Sequence, residues 1–491
     1  MKINDFFENT NILITGGTGY IGKVLIEKLL RSQPDINKIY LLIRPNKGKT
    51  IENRVKDDIF SKPIFQKVKE ANPNFMDKIV LIHGDILEPG LGLSESDKLT
   101  LKNEINIVYN SAASLNMKAP LKDNVRGNVV SVLALLDLCR HMVNLKSVVI
   151  LSTAYSNADR RVIPEEICKS YINPDLILKM CEEMDDKILE KMTPIILNSH
   201  PNTYTFSKNL MENMLQRYKD IPIVLFRPAI VMPAYKEPLF GWVDNYNGPV
   251  GLFLGCGLGV LRVLYTNNSR GNCVPVDLCT NALICSAVHG TQKRINSDGI
   301  AIYNYACERT KQSWRNWIRK ANNLELKLQH CIWTQYIVTT ANPFIYAILC
   351  FLLHRLPALI LDPFLALAGS QIRLQKIYNE KIYPFMDVLA YFASNEWIVK
   401  EDNVQLMWSD LTQAEQDTYY FDDTRLNFET SALSICSGIK IYLLKEKLED
   451  NYKAIRKDRM FAVAHYTLMT LIFSGIVWIC YFLFTWFCTS K

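Results

Sequence analysis

The chain has 491 residues, of which 49% are hydrophobic, and a net charge of +7, so it is too long for one small core and must concentrate its apolar excess in particular segments. Lysine and arginine alternate with acidic residues, and no basic block of the kind that tracks a phosphate backbone is present, which argues against nucleic-acid binding. The 13 cysteines are scattered without C-x-x-C or Cys/His zinc spacing, so no metal site is expected, and reduced, buried thiols in a cytosol-facing protein fit best.

The N-terminal stretch MKINDFFENTNILITGG contains no apolar signal region and passes almost at once into a strand pattern. NILIT, ending at Thr15, reads as a buried parallel strand, and GGTGYIG follows it before the helical apolar period of KVLIEKLLRS. Glycines at 16, 19 and 22 between a strand and a helix are the setting of a dinucleotide fingerprint. Gly16 permits the tight turn, Gly19 lets a pyrophosphate approach the backbone, and Gly22 lets the helix pack on the strand. Thr15, Tyr20 and Ile21 complete the expected contacts of this turn.

The second strand, KIYLLIR, ends in Arg44, with Lys47 and Lys49 just beyond, where a fingerprint selecting NAD would carry an acidic residue for the ribose 2′-hydroxyl. A cation there suits a 2′-phosphate, so NADPH is the expected cofactor. KIVLIHGDI brings Asp85 and Ile86 to a strand end that would meet the adenine, and INIVYNSAA brings Asn110 and Ala112 to another. SVVILSTAYSN and PIVLFRPAIV supply two further strands. Strands alternating with helices imply an α/β fold, a doubly wound parallel sheet with ligands at the carboxyl ends of the strands.

Ser152 and Thr153 close one of these strands, and about fifty residues later NTYTFSKNL places Tyr204 and Lys208 one helical turn apart. The ammonium is expected to lower the phenol pKa and make Tyr204 a proton donor near neutrality. Thr153 would hydrogen-bond the same substrate oxygen, with Ser152 as its competitor, and Lys208 would hold the nicotinamide ribose. A hydroxyl residue, Tyr and Lys in this order after an N-terminal glycine turn resemble the extended short-chain dehydrogenase/reductases, and STAY aligns Thr153 with their catalytic serine.

TGGTGYIGKVLIEKLLR, LLIRP, GDI, LSTAYSN, YTFSKNLME, RPAIVMPAYKEPLFGWVDNYNGPVG and VPVDLCTNA, covering most of residues 11–310, narrow the resemblance to the alcohol-forming fatty acyl-CoA reductases of the insect type. LPALILDPFLALAG and GIKIYLLKE resemble that family's C-terminal region. The resemblance implies reduction of a long-chain acyl-CoA by two NADPH, through hemithioacetal and aldehyde, to the primary alcohol. Two features depart from the family: PLKDNVRG, before Gly127, is about one helical turn short, and Phe428 replaces a tryptophan. The loss of a whole turn should preserve the buried face.

From Met460 to Ser490 no Lys, Arg, Asp or Glu occurs, and a strongly charged segment precedes the stretch. It is long enough to span a bilayer, its ends carry Tyr466, Trp486 and Phe487, and the positive-inside rule leaves the bulk of the chain in the cytosol. The apolar region 332–370, broken by Pro343, Pro357 and Pro363, reads either as helices against the membrane or as a lid over an acyl tunnel. His330, His354 and His465 are expected in packing roles. The expected organisation is a catalytic domain over 1–270, its end over 271–331, the apolar segment 332–370, a helical domain over 371–455 and a transmembrane helix over 460–489, with the endoplasmic reticulum first and the peroxisome second as location. A membrane-bound hydroxysteroid dehydrogenase and a catalytically silent lipid-binding scaffold are the alternative functions.

Overall fold

The computed structural model describes residues 2–45, 48–295 and 299–489, the side chains of 294, 295 and 487–489 excepted. Lys47 and the side chain of Phe487 therefore lie outside the described residues. The chain forms two compact units, Met1–Val243 with Arg270–Gln312 and Glu396–Ser434, and Asp244–Ser269 with Ser313–Asn395 and Ile435–Lys491. The consecutive blocks expected from the sequence are thus interleaved in space. Local pattern cannot reveal such returns: Ile398–Val399, far along the chain, pairs in parallel with Val162–Ile163 of the same unit.

The first unit is built on β1 (Asn11–Thr15), β2 (Lys38–Ile43), β3 (Ile79–His83), β4 (Ile107–Asn110), β5 (Ser147–Leu151), β6 (Ile223–Pro228) and β7 (Ala301–Tyr305). They form one parallel seven-stranded sheet in the order β3-β2-β1-β4-β5-β6-β7. Strands β4 to β7 are buried at every residue, as a sheet covered on both faces requires. Strand β7, AIYNY, is not among the strands expected from sequence. The polar Asn304 interrupts its apolar run, but its amide is satisfied by the carbonyls of Pro164 (3.2 Å) and Lys400 (2.9 Å).

On one face, Leu13, Val108, Val148, Ile150 and Leu225 form a core with Phe206, Leu210 and Met214 of a helix over Thr203–Leu215. On the other, the helix Val276–Ile295 packs against β5, β6 and β7. The segment from Leu121 to Cys139 is helical throughout and buries Leu121, Val125, Val129, Val132 and Leu136. Its apolar face is continuous through PLKDNVRG.

In the second unit a helix over Pro343–Leu367 buries Cys350, His354, Ala358 and Asp362, one residue per turn. Apart from the exposed Arg355, its remaining surface is largely apolar and outward, with an exposure of 80% at Phe344 and 86% at Leu367. The Asp362 carboxylate accepts the backbone N–H groups of Leu374 (2.7 Å) and Gln375 (3.0 Å), so the buried stripe carries the polar His354 and Asp362. The C-terminal helix Asn451–Thr489 likewise exposes its apolar residues, and both helices are long and apolar enough to cross a membrane.

Candidate active site

Chain connections leave β1 and β4 in opposite directions, which opens a crevice beyond their carboxyl ends. The register sets Thr15 level with Asn110 across that point, and the Thr15 hydroxyl donates to Asn110 Oδ1 at 2.6 Å. Asn110 Nδ2 is buried with no hydrogen-bond partner among the described residues. Gly16 has φ +73°, and a Cβ there would lie 2.6 Å from the Ala112 nitrogen. At Gly22 it would lie 2.3 Å from the Gly16 carbonyl oxygen. Both contacts are with backbone, so the turn closes only on glycine.

The helix Tyr20–Ser32 begins here, with Gly19 as its N-cap and no side-chain cap. Its first N–H groups therefore face the crevice without a side-chain acceptor, the arrangement that receives a phosphate. Ile21 is half-buried in the first turn. The Tyr20 hydroxyl is engaged elsewhere, donating to the carbonyls of Met232 (3.2 Å) and Trp242 (3.0 Å), and its ring stacks on Trp242. At the ends of β2 and β3, Arg44 approaches Asp85 at 3.9 Å while remaining more than half exposed. Lys49 pairs with Asp57 at 2.8 Å, and Ile86 packs against the core.

Beside β4, the β5 strand ends at Leu151 and delivers Ser152 and Thr153. The helix carrying Tyr204 is capped by Asn202, whose side chain accepts the Thr205 N–H at 2.9 Å. Tyr204 is buried with Thr153 beside its phenol, the Thr153 hydroxyl donates to the Pro228 carbonyl at 3.3 Å, and Lys208 Nζ donates to the Leu151 carbonyl at 2.9 Å. Ser152 is committed to another partner, Glu212, at 2.5 Å. The two hydroxyl candidates therefore differ: Thr153 stands beside the phenol and Ser152 is turned to Glu212. Glu212 also forms a fully buried ion pair with Arg227 at 2.7 Å.

The expected lowering of the Tyr204 pKa is not found. Burial pushes the phenol well above its usual value, and the Thr153 hydroxyl beside it only partly opposes this. Lys208 is instead the group shifted toward neutrality, lowered to about 8 by burial against the opposing charge of Glu212. Desolvation penalises phenolate and ammonium alike, and it outweighs a cation whose nearest contact is a carbonyl.

Asn124, Asn128, Glu212 and Arg227 escape a reading of the sequence. Asn128 Nδ2 donates to Ser207 Oγ (3.0 Å) and to the Ser114 carbonyl (3.1 Å), and its Oδ1 accepts the Ser114 N–H (2.8 Å). Asn124 Nδ2 donates to Thr203 Oγ1 at 2.8 Å. Together they fasten the loop after β4 to the helix that presents Tyr204. The available signal is a pair of asparagines four residues apart on the face that carries Val125 and Val129.

A family model described as male sterility protein matches residues 14–283, and a second with the same description matches residues 353–446. Fatty acyl-CoA reductase wat of Drosophila melanogaster is 34% identical over 481 residues, 97% of this chain and 92% of that protein. Fatty acyl-CoA reductase 1 of Homo sapiens is 32% identical over 457 residues, 91% of this chain and 87% of that protein. Among solved structures, the reductase domain of a nonribosomal peptide synthetase from Mycobacterium tuberculosis superposes with a TM-score of 0.57 at 15% identity, covering 89% of this chain and 92% of that one, and shares the fold. By sequence identity along nearly its whole length and by the architecture of its sheet, the chain belongs to the fatty acyl-CoA reductase family.

Proposed function

We propose that this chain, an alcohol-forming fatty acyl-CoA reductase, uses NADPH and the set Thr153, Tyr204 and Lys208 to take a long-chain acyl-CoA through the aldehyde to the primary alcohol. The observation that carries the reading is the buried Tyr204 beside Thr153 at the end of β5, one helical turn from Lys208. NADPH supplies the hydride when bound. The uncapped start of the helix Tyr20–Ser32 suits its pyrophosphate, the unpartnered Asn110 amide and Ala112 line the crevice, and Arg44 suits the 2′-phosphate. Asp85 and Ile86 stand where the adenine would lie.

Negative charge developing on the substrate oxygen calls for a proton and a second hydrogen bond. A phenol held protonated by burial is a donor that stays loaded across the physiological range, and Thr153 supplies the second bond. In the first round the thioester carbonyl becomes a hemithioacetal, which releases CoA thiol and leaves the aldehyde. In the second the aldehyde becomes the alcohol, for a total of two hydrides and two protons. Lys208 would hold the nicotinamide ribose, and its ammonium would stabilise phenolate once Tyr204 has given up its proton.

The same reading puts the protein on a membrane with its catalytic residues in the cytosol. The outward apolar surfaces of Pro343–Leu367 and of the C-terminal helix support it, and favour the membrane-bound alternative over a lid for the former. The endoplasmic reticulum is the proposed site, with the peroxisome second. The test is product analysis of the purified full chain over a ladder of acyl-CoA lengths with NADPH or NADH, in wild type, Tyr204→Phe and Arg44→Ser. Fatty alcohol from wild type, lost in Tyr204→Phe, with the NADPH preference reduced in Arg44→Ser, is expected. Sterol turnover without alcohol would sink the proposal.

A further inference from the structure

Arg262 lies in the second unit, and 9% of its surface is exposed. Its backbone is fixed on both sides: its N–H donates to His354 Nε2 at 3.1 Å, and its carbonyl accepts the Val338 N–H at 2.9 Å. Its guanidinium has five N–H donors. Nη2 approaches His465 Nδ1 at 3.4 Å, the charge lies 6.0 Å from the Trp333 ring centre, and Nε is buried without a partner. Among the described residues Arg262 has no ion pair, and burial lowers its affinity for its proton.

The neighbours repeat the imbalance. His465 Nδ1 faces both Arg262 Nη2 and the Trp333 indole N–H (3.4 Å), so it is the acceptor and the ring is neutral. His354 Nε2 accepts from the Arg262 backbone, so its proton is on Nδ1, which is also buried and unpartnered. The cluster thus holds a cation and two unused buried donors with no carboxylate to answer them. A buried charge left in this way is costly, and an arriving anion would remove the cost.

Position narrows the anion. His354 belongs to the apolar helix Pro343–Leu367 and His465 to the C-terminal one, five residues after Met460, where the stretch without charged side chains begins. That is about 7 Å along the helix axis, the depth at which lipid phosphates and acyl chains meet.

We propose that Arg262 is the receptor for a phosphate oxyanion at the membrane surface, a binding site separate from Tyr204 and its chemistry. The phosphate of a lipid headgroup and that of a soluble ligand share this chemistry, and the experiment separates them. Full-length protein in neutral detergent would be melted with dioctanoyl phosphatidic acid, with dioctanoylglycerol, which lacks only the phosphate, with inorganic phosphate and with coenzyme A. We expect phosphatidic acid to raise the unfolding midpoint by about 2–4 °C over dioctanoylglycerol and the rise to vanish in Arg262→Gln. A rise with inorganic phosphate or coenzyme A that vanishes in the variant assigns the site to a soluble phosphate. The proposal is overturned if wild type responds to no phosphate compound more than to dioctanoylglycerol, or if Arg262→Gln keeps the whole response. The wild-type comparison decides even where the variant does not fold, and alcohol formation reads the Tyr204 assignment independently.

Discussion

The two units treat the same residue types in opposite ways. In the first, Phe206, Phe226 and the strand residues are enclosed, and the charged groups drawn inside near Tyr204 are matched, Glu212 with Arg227 and Lys208 with a carbonyl. In the second, Phe344, Leu367, Trp478 and Phe484 stand outside, while His354, Asp362 and His465 are the enclosed ones. Apolar side chains enclosed in the first unit suit water around it, and those left outward on the two apolar helices of the second suit hydrocarbon, which is the basis of the proposed membrane association.

The largest effect expected is on chemistry inside the first unit. Tyr204→Phe should lower alcohol formation by roughly 10²–10⁴-fold with little change in dinucleotide affinity, measured by single-turnover assay and cofactor titration. Equal loss of affinity would mean that the tyrosine shapes the pocket and does not deliver a proton. Next, Phe226→Ala should cost about 3–5 kcal/mol in denaturant unfolding, because its site on β6 is closed on every side. Gly22→Ala should cost about 1–3 kcal/mol and weaken dinucleotide binding, since the new methyl meets backbone that has no room to give.

A smaller effect concerns pH. Lys208 has a folded pKa of about 8 against an ordinary 10.5, so between those values the unfolded chain holds a proton that the folded one has released. Stability of the cofactor-free protein should therefore rise as pH climbs through that window, and Lys208→Met should flatten the rise in urea titrations. The smallest stability effect belongs to the second unit. Phe344→Ser should change unfolding by no more than about 0.5 kcal/mol while weakening retention on neutral vesicles in flotation assays. A loss comparable to that of Phe226→Ala would mean that this surface packs against protein and would break the contrast.

Much of the first unit could be read directly. A glycine turn between a strand and a helix has one common use, and Tyr204 and Lys208 share a helix face by spacing alone. Asn304 hid β7, because a polar residue in a strand looks like an interruption until its carbonyl partners are known. The preference for Thr153 over Ser152 rested on the resemblance alone, since adjacent hydroxyls at a strand end differ only in what lies opposite them, Glu212 for one and Tyr204 for the other.

Local sequence determined the fold class, the glycine turn, the shared helix face of Tyr204 and Lys208 and the apolar C-terminal helix, because each rests on periodicity or spacing within a few turns of chain. Tertiary structure alone decided the interleaving of the two units, the direction of the Tyr204 and Lys208 pKa shifts and the unpaired state of Arg262. Those depend on which distant groups remain within reach once water has been removed, and desolvation is a property of the assembled interior that no short segment carries.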